Sequence, residues 1–181
     1  MEDRLLIWRC KRGCAEAMAR IYQKYRKDLL ILALALLNDK AAAEDIVHDV
    51  FVGFAEGLPR FRLTGRLRAY LMTCVANRAR NHNKAKRPAE AACIDVARDS
   101  VCESEPSDRL VCSEQLQCLA NALDQLPYEQ RETLMLHMYS GLSLRAIAKT
   151  QGLSANTVMS RYRYGIDKLR DLLNGECDHE A

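Results

Sequence analysis

Residues 66–86 carry side chains of the kinds that bind a single strand of nucleic acid. An aromatic ring can stack on bases, amides can hydrogen-bond to base edges, and cations can meet phosphates. Nine basic residues and no acidic residue lie between positions 60 and 87. This bias favours DNA binding over a merely solvated face, which is the alternative. Tyr70, Thr73, Asn77, Asn81 and Lys84 line up on one side of the predicted helix, with Arg78 and Arg80 beside them.

A second set of polar residues lies in a pair of predicted helices near the C-terminus. Ser143 can cap a short helix that ends at 150 or 151, Gly152 can take the left-handed turn, and Ser154 can cap a last helix over about 155–173. Two helices joined by a glycine turn form a helix-turn-helix, whose second helix enters the major groove. A plain helical hairpin is the alternative. The side chains left for groove and phosphates are Ser154, Asn156, Thr157, Ser160, Arg161 and Arg163.

The segment 40–57 is predicted to be a helix with two different faces. One face is apolar, with Ile46, Val47, Val50, Phe51 and Phe54. The other contains Asp45, His48, Asp49 and Val52 at positions i, i+3, i+4 and i+7, which share one side of a helix. This second face is either a solvated acidic surface or a docking surface for a partner helix.

The elements that position these groups are predicted to be helices throughout. Apolar residues recur at helical spacing, glycine and proline are scarce, and 181 residues suffice for two small domains. The sequence therefore predicts an all-α fold with two small helical domains joined by a flexible linker. The helices are expected at about 3–12, 14–37, 40–57 and 66–86, and then at 110–126, 128–139, 143–151 and 155–173. Ile147, Leu153 and Val158 are expected to fill the core that the last two helices share.

The charge is unevenly distributed, although the net charge is only +3. Residues 88–113 hold six acidic and two basic residues, whereas 154–170 hold four basic residues and one acidic residue. Two basic blocks around an acidic spacer indicate two polyanion-binding units. Because it contains prolines and lacks helical periodicity, the stretch 89–108 is interpreted as the linker.

No group of residues predicts catalysis, a cofactor or a metal site. The eight cysteines lack a C-x-x-C spacing, which favours free thiols; redox sensing or metal binding by the four in the middle of the chain is the alternative. No phosphate-binding glycine loop or nucleophile motif is present, and the four histidines are scattered. No apolar run approaches the roughly 20 residues needed to span a bilayer, and no signal-peptide core is present, so no membrane insertion and a cytoplasmic location are expected.

Several segments together resemble one family, the extracytoplasmic-function (ECF) sigma factors. Residues 43–51, Ala-Glu-Asp-Ile-Val-His-Asp-Val-Phe, resemble the family's clamp-binding helix, with His48 where glutamine is usual. Residues 59–62 and 67–71 resemble the following loop and helix, and 76–82 the promoter-melting segment, with Asn81 where aspartate is usual. Residues 126–161 resemble the domain that reads the −35 element.

The resemblance implies that the chain binds core RNA polymerase and promoter DNA. It assigns 1–88 to polymerase and the −10 element, 89–108 to an acidic linker, 109–175 to the −35 element and 176–181 to a tail. It implies that the acidic face of 40–57 meets the polymerase clamp. An anti-sigma partner is a further expectation. A stand-alone helix-turn-helix regulator is the alternative function. Unpaired bases of the −10 element would be captured by the loop residues Phe61, Arg62, Leu63, Thr64 and Gly65, together with Asn77 and Asn81.

Overall fold

The computed structural model of the chain describes residues 2–90 and 110–177, and in these ranges every regular element is a helix. The chain divides into two compact units, Met1–Ala92 and Cys93–Ala181. The predicted all-α fold class is confirmed. Apart from its first two residues, the predicted linker 89–108 lies outside the described residues.

The first unit contains four helices: α1 (Glu2–Lys11), α2 (Ala15–Leu37), α3 (Lys40–Gly57) and α4 (Leu67–Glu90). Local chemistry sets their boundaries. Gly13 takes a φ of 81° after α1, and Asn38 takes a left-handed φ of 53° at the end of α2. Asp39 then begins α3, because its carboxylate accepts a hydrogen bond from the backbone N–H of Ala42 at 3.1 Å.

The core of the first unit lies where α2, α3 and α4 pack together. α2 contributes Ile21, Leu29 and Leu32, which are fully buried. The predicted apolar stripe of α3 is buried in full. α4 buries a row of large and small side chains that lets the helices approach closely: Leu67, Leu71, Met72, Val75, Ala76 and Ala79.

α4 is longer than predicted. The expected end near residue 86 is wrong, since the helix continues through Pro88 to Glu90. A proline removes one backbone donor and disfavours the helical conformation of the residue before it, but it does not forbid helical backbone. The composition change at Pro88 therefore does not coincide with the end of the helix.

The second unit begins with α5 (Leu110–Asp124) and α6 (Tyr128–Leu134). The predicted single helix 128–139 is only partly correct, because α6 passes into a π-helical turn at Met135–Tyr139. There the backbone N–H of Ser140 donates to the carbonyl of Met135, five residues back, at 3.1 Å. α7 (Leu144–Gln151) and α8 (Ala155–Cys177) complete the unit, and α8 exceeds its predicted end at 173 by four residues.

The helices α6 and α8 pack tightly against each other at Gly165, which the sequence reasoning had overlooked. A Cβ atom at this position would lie 3.0 Å from Leu134 Cδ1 and 3.3 Å from Gln130 Cβ. Leu134 is itself 2% exposed and has little room to move. Glycine is therefore favoured at residue 165 by packing between helices, not by a turn.

The cysteines that the structure describes are free thiols, as the sequence predicts. Cys10, Cys14, Cys74 and Cys118 are free thiols, and the other four cysteine side chains lie outside the described part of the structure. Within 2–90 and 110–177, no cluster of histidine, cysteine and acidic side chains has the arrangement of a metal site. Among those residues, no helix combines the length and apolar character needed to cross a bilayer.

Gly165→Ala is expected to lower the free energy of unfolding of the second unit by about 1 kcal/mol. Overpacking typically costs ~1–3 kcal/mol, which outweighs the ~1 kcal/mol of helix propensity that alanine gains. Gly57→Ala is the matched control, because a Cβ there has no atom within 4 Å. Urea unfolding followed by circular dichroism measures both variants. A Gly165→Ala protein at least as stable as the wild type would contradict the packing argument.

Candidate nucleic-acid interface

The acidic face of α3 points to solvent. Asp45, His48, Asp49 and Val52 are all exposed, while the opposite face of the helix is buried. A shallow cleft of about 230 Å³ runs along one edge of this face, between α2 and α3. Its lining combines charge and apolar surface: Tyr22, Arg26, Leu30, Glu44, Asp45, Val47 and His48. The face has the mixed character of a protein-docking surface.

One side chain of this face is paired with the basic helix. Asp49 Oδ2 lies 3.1 Å from Arg78 Nη1, and both side chains are largely exposed. Gly53 leaves the space that the arginine occupies, since a Cβ at that position would lie 3.3 Å from Arg78 Nη2. The structure thus brings together two residues that the sequence assigned to different partners.

The polar side of α4 is arranged as its spacing predicts, but several of its groups already have partners. Asn81 and Lys84 are exposed, and Asn77 is half-buried. Arg80 Nη1 donates to the side-chain carbonyl of Asn77 at 3.1 Å, which fixes how that amide is presented. Thr73 Oγ1 donates to the carbonyl of Ala69 in its own helix, so its hydroxyl proton is not directed outward.

An aromatic cluster supports the loop before α4. Phe61 lies with its ring centroid 5.2 Å from Phe54 and 4.8 Å from Tyr70. Phe61 is half-buried by these contacts, whereas Tyr70 remains 41% exposed. The loop beyond Phe61 presents Arg62, Thr64 and Gly65 to solvent, with Leu63 half-buried. The cluster therefore holds the loop against the helix and leaves one ring surface accessible.

The hydroxyl of Tyr70 is kept protonated by its surroundings. Burial raises the pKa of the Tyr70 phenol, and the neighbouring Cys74 thiol raises it further. Burial likewise raises the pKa of the Cys74 thiol. At neutral pH both groups are uncharged, so they add no negative charge beside the basic helix.

A basic side chain of α1 also reaches this loop. Lys11 Nζ donates to the backbone carbonyl of Phe61 at 2.7 Å. The sequence reasoning did not assign α1 to any site. One sequence feature could have indicated a site on α1. Trp8 is followed by Lys11 and Arg12, in a helix whose acidic residues all lie in its first turn.

The C-terminal motif has the predicted turn. Ser143 caps α7 by accepting from the N–H of Ala146 at 3.2 Å, and Gly152 takes a left-handed φ of 66°. Ile147 and Val158 are fully buried between α7 and α8. Leu153 is only half-buried, so it contributes less to this core than expected.

The residues predicted to contact the DNA groove and phosphates lie at the start of α8. Asn156 and Arg163 are exposed, and Ser160 and Arg161 are half-buried. Ser154 Oγ accepts from the N–H of Thr157 at 3.0 Å and also bonds its hydroxyl at 2.8 Å. The two hydroxyls are exposed, but they already serve as the helix cap. The first turn of α8 consequently offers both backbone dipole and polar side chains to a polyanion.

Of the histidines that the structure describes, His137 has a structural role. His137 Nδ1 lies 2.7 Å from the carbonyl of Leu142, and its ring packs edge-on against Tyr162 at 4.9 Å. His48 and His82 are exposed. These features define a two-unit helical protein with a helix-turn-helix in one unit and a basic, aromatic helix beside an acidic face in the other.

Comparison with known proteins agrees with this class. The model of sigma-70 region 2 matches residues 21–88, and that of sigma-70 region 4 matches residues 116–169. The RNA polymerase sigma-H factor of Pseudomonas aeruginosa is 27% identical, over 92% of this chain and 93% of the relative. The ECF RNA polymerase sigma factor SigL of Mycobacterium tuberculosis is 28% identical, over 86% of this chain and 88% of the relative.

A solved structure shares the fold. The sigma factor RpoE of Bartonella quintana, crystallised with the anti-sigma factor NepR, superposes with a TM-score of 0.64 at 23% identity. The match covers 86% of this chain and 96% of that one. The chain therefore belongs to the sigma-70 family of RNA polymerase sigma factors, within its ECF type. A stand-alone helix-turn-helix regulator is not favoured, because the N-terminal unit matches region 2.

The Asp49–Arg78 pair is expected to contribute little to stability. Exposed ion pairs are typically worth ~0.2–1 kcal/mol, because solvent screens them and side-chain order has an entropic cost. A double-mutant cycle of Asp49→Ala and Arg78→Ala, read by urea unfolding, should give a coupling energy within that range. The coupling should disappear in 1 M salt, where the Debye length is ~3 Å. A salt-independent coupling well above 1 kcal/mol would show that the pair is structural.

Proposed function

We propose that this chain directs transcription initiation through three separate surfaces. The exposed face of α3 binds core RNA polymerase. The polar side of α4 and the loop 61–65 bind unpaired −10 promoter DNA, and the start of α8 binds the −35 duplex. The observation that carries the proposal is the side-by-side placement, in one unit, of an acidic docking face and a basic helix with an exposed aromatic ring.

The α3 face suits a protein partner of opposite charge. Asp45, His48 and Asp49 can make polar contacts, while Val52 offers an exposed apolar patch beside them. Surfaces with a small apolar centre and a charged rim are typical of protein interfaces. Charge complementarity of this kind contributes specificity and a fast association rate.

The α4 surface suits a strand whose bases are already unstacked. Tyr70 can stack on a base, and Asn77 and Asn81 can hydrogen-bond to base edges. Lys84, Arg78 and Arg80 can neutralise phosphates. Flipping a base costs a few kcal/mol, and stacking on an aromatic ring returns ~1–3 kcal/mol per base. Binding the single-stranded form in this way favours melting of the −10 region, while polymerase carries out all chemistry.

The helix-turn-helix supplies a surface for duplex DNA. In this motif the N-terminal residues of the second helix contact base edges in the major groove, while flanking groups hold phosphates. Asn156 and Arg161 are therefore proposed to contact bases, and Arg163 a phosphate. Ser154, Thr157 and Ser160 lie on the same part of α8 and complete the contact set.

Domain roles and partners follow from the same proposal. Residues 1–88 would form the polymerase and −10 domain, 89–108 the acidic linker and 109–175 the −35 domain, with 176–181 as the tail. The protein would act in the cytoplasm, where core polymerase is found. An anti-sigma protein is a further proposed partner, supported by the shared fold of the Bartonella quintana sigma factor that was crystallised with one.

Asp45→Arg is expected to abolish promoter-specific transcripts when the chain is added to bacterial core polymerase and genomic promoter fragments. The substitution reverses a charge at the centre of the docking face without touching the core, so circular dichroism should be unchanged. Glu16→Arg is the matched control, since that carboxylate is 84% exposed on α2. Specific initiation by the wild type supports the proposed function. Duplex binding without any initiation would reject it, and full activity of Asp45→Arg would reject the assigned face.

Arg161→Ala is expected to lower affinity for the −35 duplex by about tenfold, because a contact to a base is worth ~1–3 kcal/mol. Thermal stability should change much less than the use of the −35 element. Arg170→Ala is the matched control on the same helix, where the guanidinium lies 3.8 Å from Asp167 and is exposed. Holoenzyme binding to labelled promoter DNA measures the affinity. A parallel loss of stability and affinity would instead make Arg161 a packing residue.

A further inference from the structure

α1 presents an exposed stripe that the proposed function does not use. Leu5 and Trp8 are 58% and 50% exposed, although both are large apolar side chains. The opposite side of the helix, with Leu6, Ile7 and Cys10, is buried. Arg4, Lys11 and Arg12 flank Trp8 on the outer side, and no acidic residue occurs between positions 4 and 12. We name this set of residues 4, 5, 8, 11 and 12 the α1 stripe.

The acidic residues of α1 are directed elsewhere. Lys24 Nζ lies 2.7 Å from Glu2 Oε2 and 2.9 Å from Asp3 Oδ1, and the Tyr25 hydroxyl donates to Asp3 at 2.8 Å. The side-chain hydrogen bond with Asp3, and then that with Glu2, raises the pKa of Lys24. These contacts join the start of α1 to α2, and the single charge of Lys24 offsets one of the two carboxylates. The following residues 4–12 include four basic residues and no acidic residue, so the α1 stripe itself carries positive charge.

Trp8 and Arg12 form a preorganised stacking unit. The guanidinium carbon of Arg12 lies 3.9 Å from the centroid of the indole ring. A cation over an aromatic face is held by the ring quadrupole. Such a pair offers a flat surface for a base and a charge for the adjacent phosphate, which is the combination that single-strand-binding proteins use.

The α1 stripe is continuous with the proposed path of the melted strand. Lys11 donates to the carbonyl of Phe61 at 2.7 Å and so fixes the end of α1 beside the loop 61–65. Arg60 and Arg62 flank that carbonyl and are exposed. Exposed basic side chains of the loop and of α1 therefore lie on both sides of this hydrogen bond.

We propose that the α1 stripe binds single-stranded promoter DNA next to the segment held by α4 and the loop, with Trp8 stacking on a base and Arg12 meeting a phosphate. This proposal rests on the proposed function, which supplies the strand. Positive charge, a stacked cation–ring pair and continuity with the loop favour a nucleic-acid strand over a protein helix as occupant.

The test uses the full chain and a single-stranded oligo-dT probe. Trp8 is the only tryptophan, so its fluorescence reports on the α1 stripe alone. Oligo-dT should quench this fluorescence. Trp8→Ala should lower the affinity for labelled oligo-dT, measured by anisotropy, at least about fivefold, and Trp8→Phe should restore most of it. Absence of quenching, or unchanged affinity in Trp8→Ala, overturns the proposal.

A second variant keeps the test independent of the packing of Trp8. Arg12→Gln should weaken binding about threefold and reduce the log–log salt slope by about 0.7, the value for one phosphate contact on a single strand. Arg20→Gln, an exposed arginine on α2, is the charge-matched control and should change neither quantity. Equal effects of the two arginine substitutions would overturn the proposed contact between Arg12 and a phosphate.

The remaining outcomes separate the two proposals. If oligo-dT quenches Trp8 but the chain supports no promoter-specific initiation, the α1 stripe binds single strands, while the proposed function and the promoter strand as occupant both fail. If the chain initiates specifically while Trp8→Ala binds oligo-dT normally, the function stands and the α1 stripe fails. If Trp8→Ala weakens only the association with core polymerase, the stripe is a protein surface and the proposal is overturned.

Discussion

The first unit depends on holding a strongly basic helix against its neighbours. Like charges on one helix repel, and residues 60–87 contain no acid to offset them. The offset comes from other helices: Arg68 Nε lies 2.7 Å from Asp28 Oδ2 on α2, and Arg78 pairs with Asp49 on α3. Burial of the apolar row of α4 supplies the main stabilisation, since surface ion pairs add little. That burial also determines which side of α4 faces outward.

The second unit depends on two glycines that have different roles. Gly152 permits the left-handed turn between α7 and α8, and Gly165 lets α8 lie against α6. Ser154 and Thr157 share one capping arrangement at the start of α8. Their hydroxyls fix where the helix begins, so Asn156 in the first turn and Arg161 in the second are presented from a defined start. The capped turn is therefore already formed in the chain without DNA.

Periodicity in the sequence was sufficient to predict the helices and the faces they bury. The apolar stripe of α3 and the polar side of α4 could be assigned from spacing because burial repeats every three or four residues. Contacts between helices could not be assigned in this way. The Asp49–Arg78 pair, the Lys11–Phe61 bond and the packing at Gly165 depend on crossing geometry, which no local pattern encodes. The π-helical turn at Met135–Tyr139 was missed because one extra residue in a turn barely alters the apolar pattern.

The pairing of Asp49 with Arg78 has a consequence for the proposed function. An exposed ion pair is weak enough to be replaced by a stronger contact at small cost. If polymerase engages Asp49, the guanidinium of Arg78 is released beside the side chains proposed to bind the −10 strand. A phosphate can then replace the carboxylate, because charge-assisted hydrogen bonds of Arg to phosphate have the same geometry. Under the proposed function, weak pairing between the two faces would let one small helical unit serve a protein partner and a nucleic-acid partner without a change of fold.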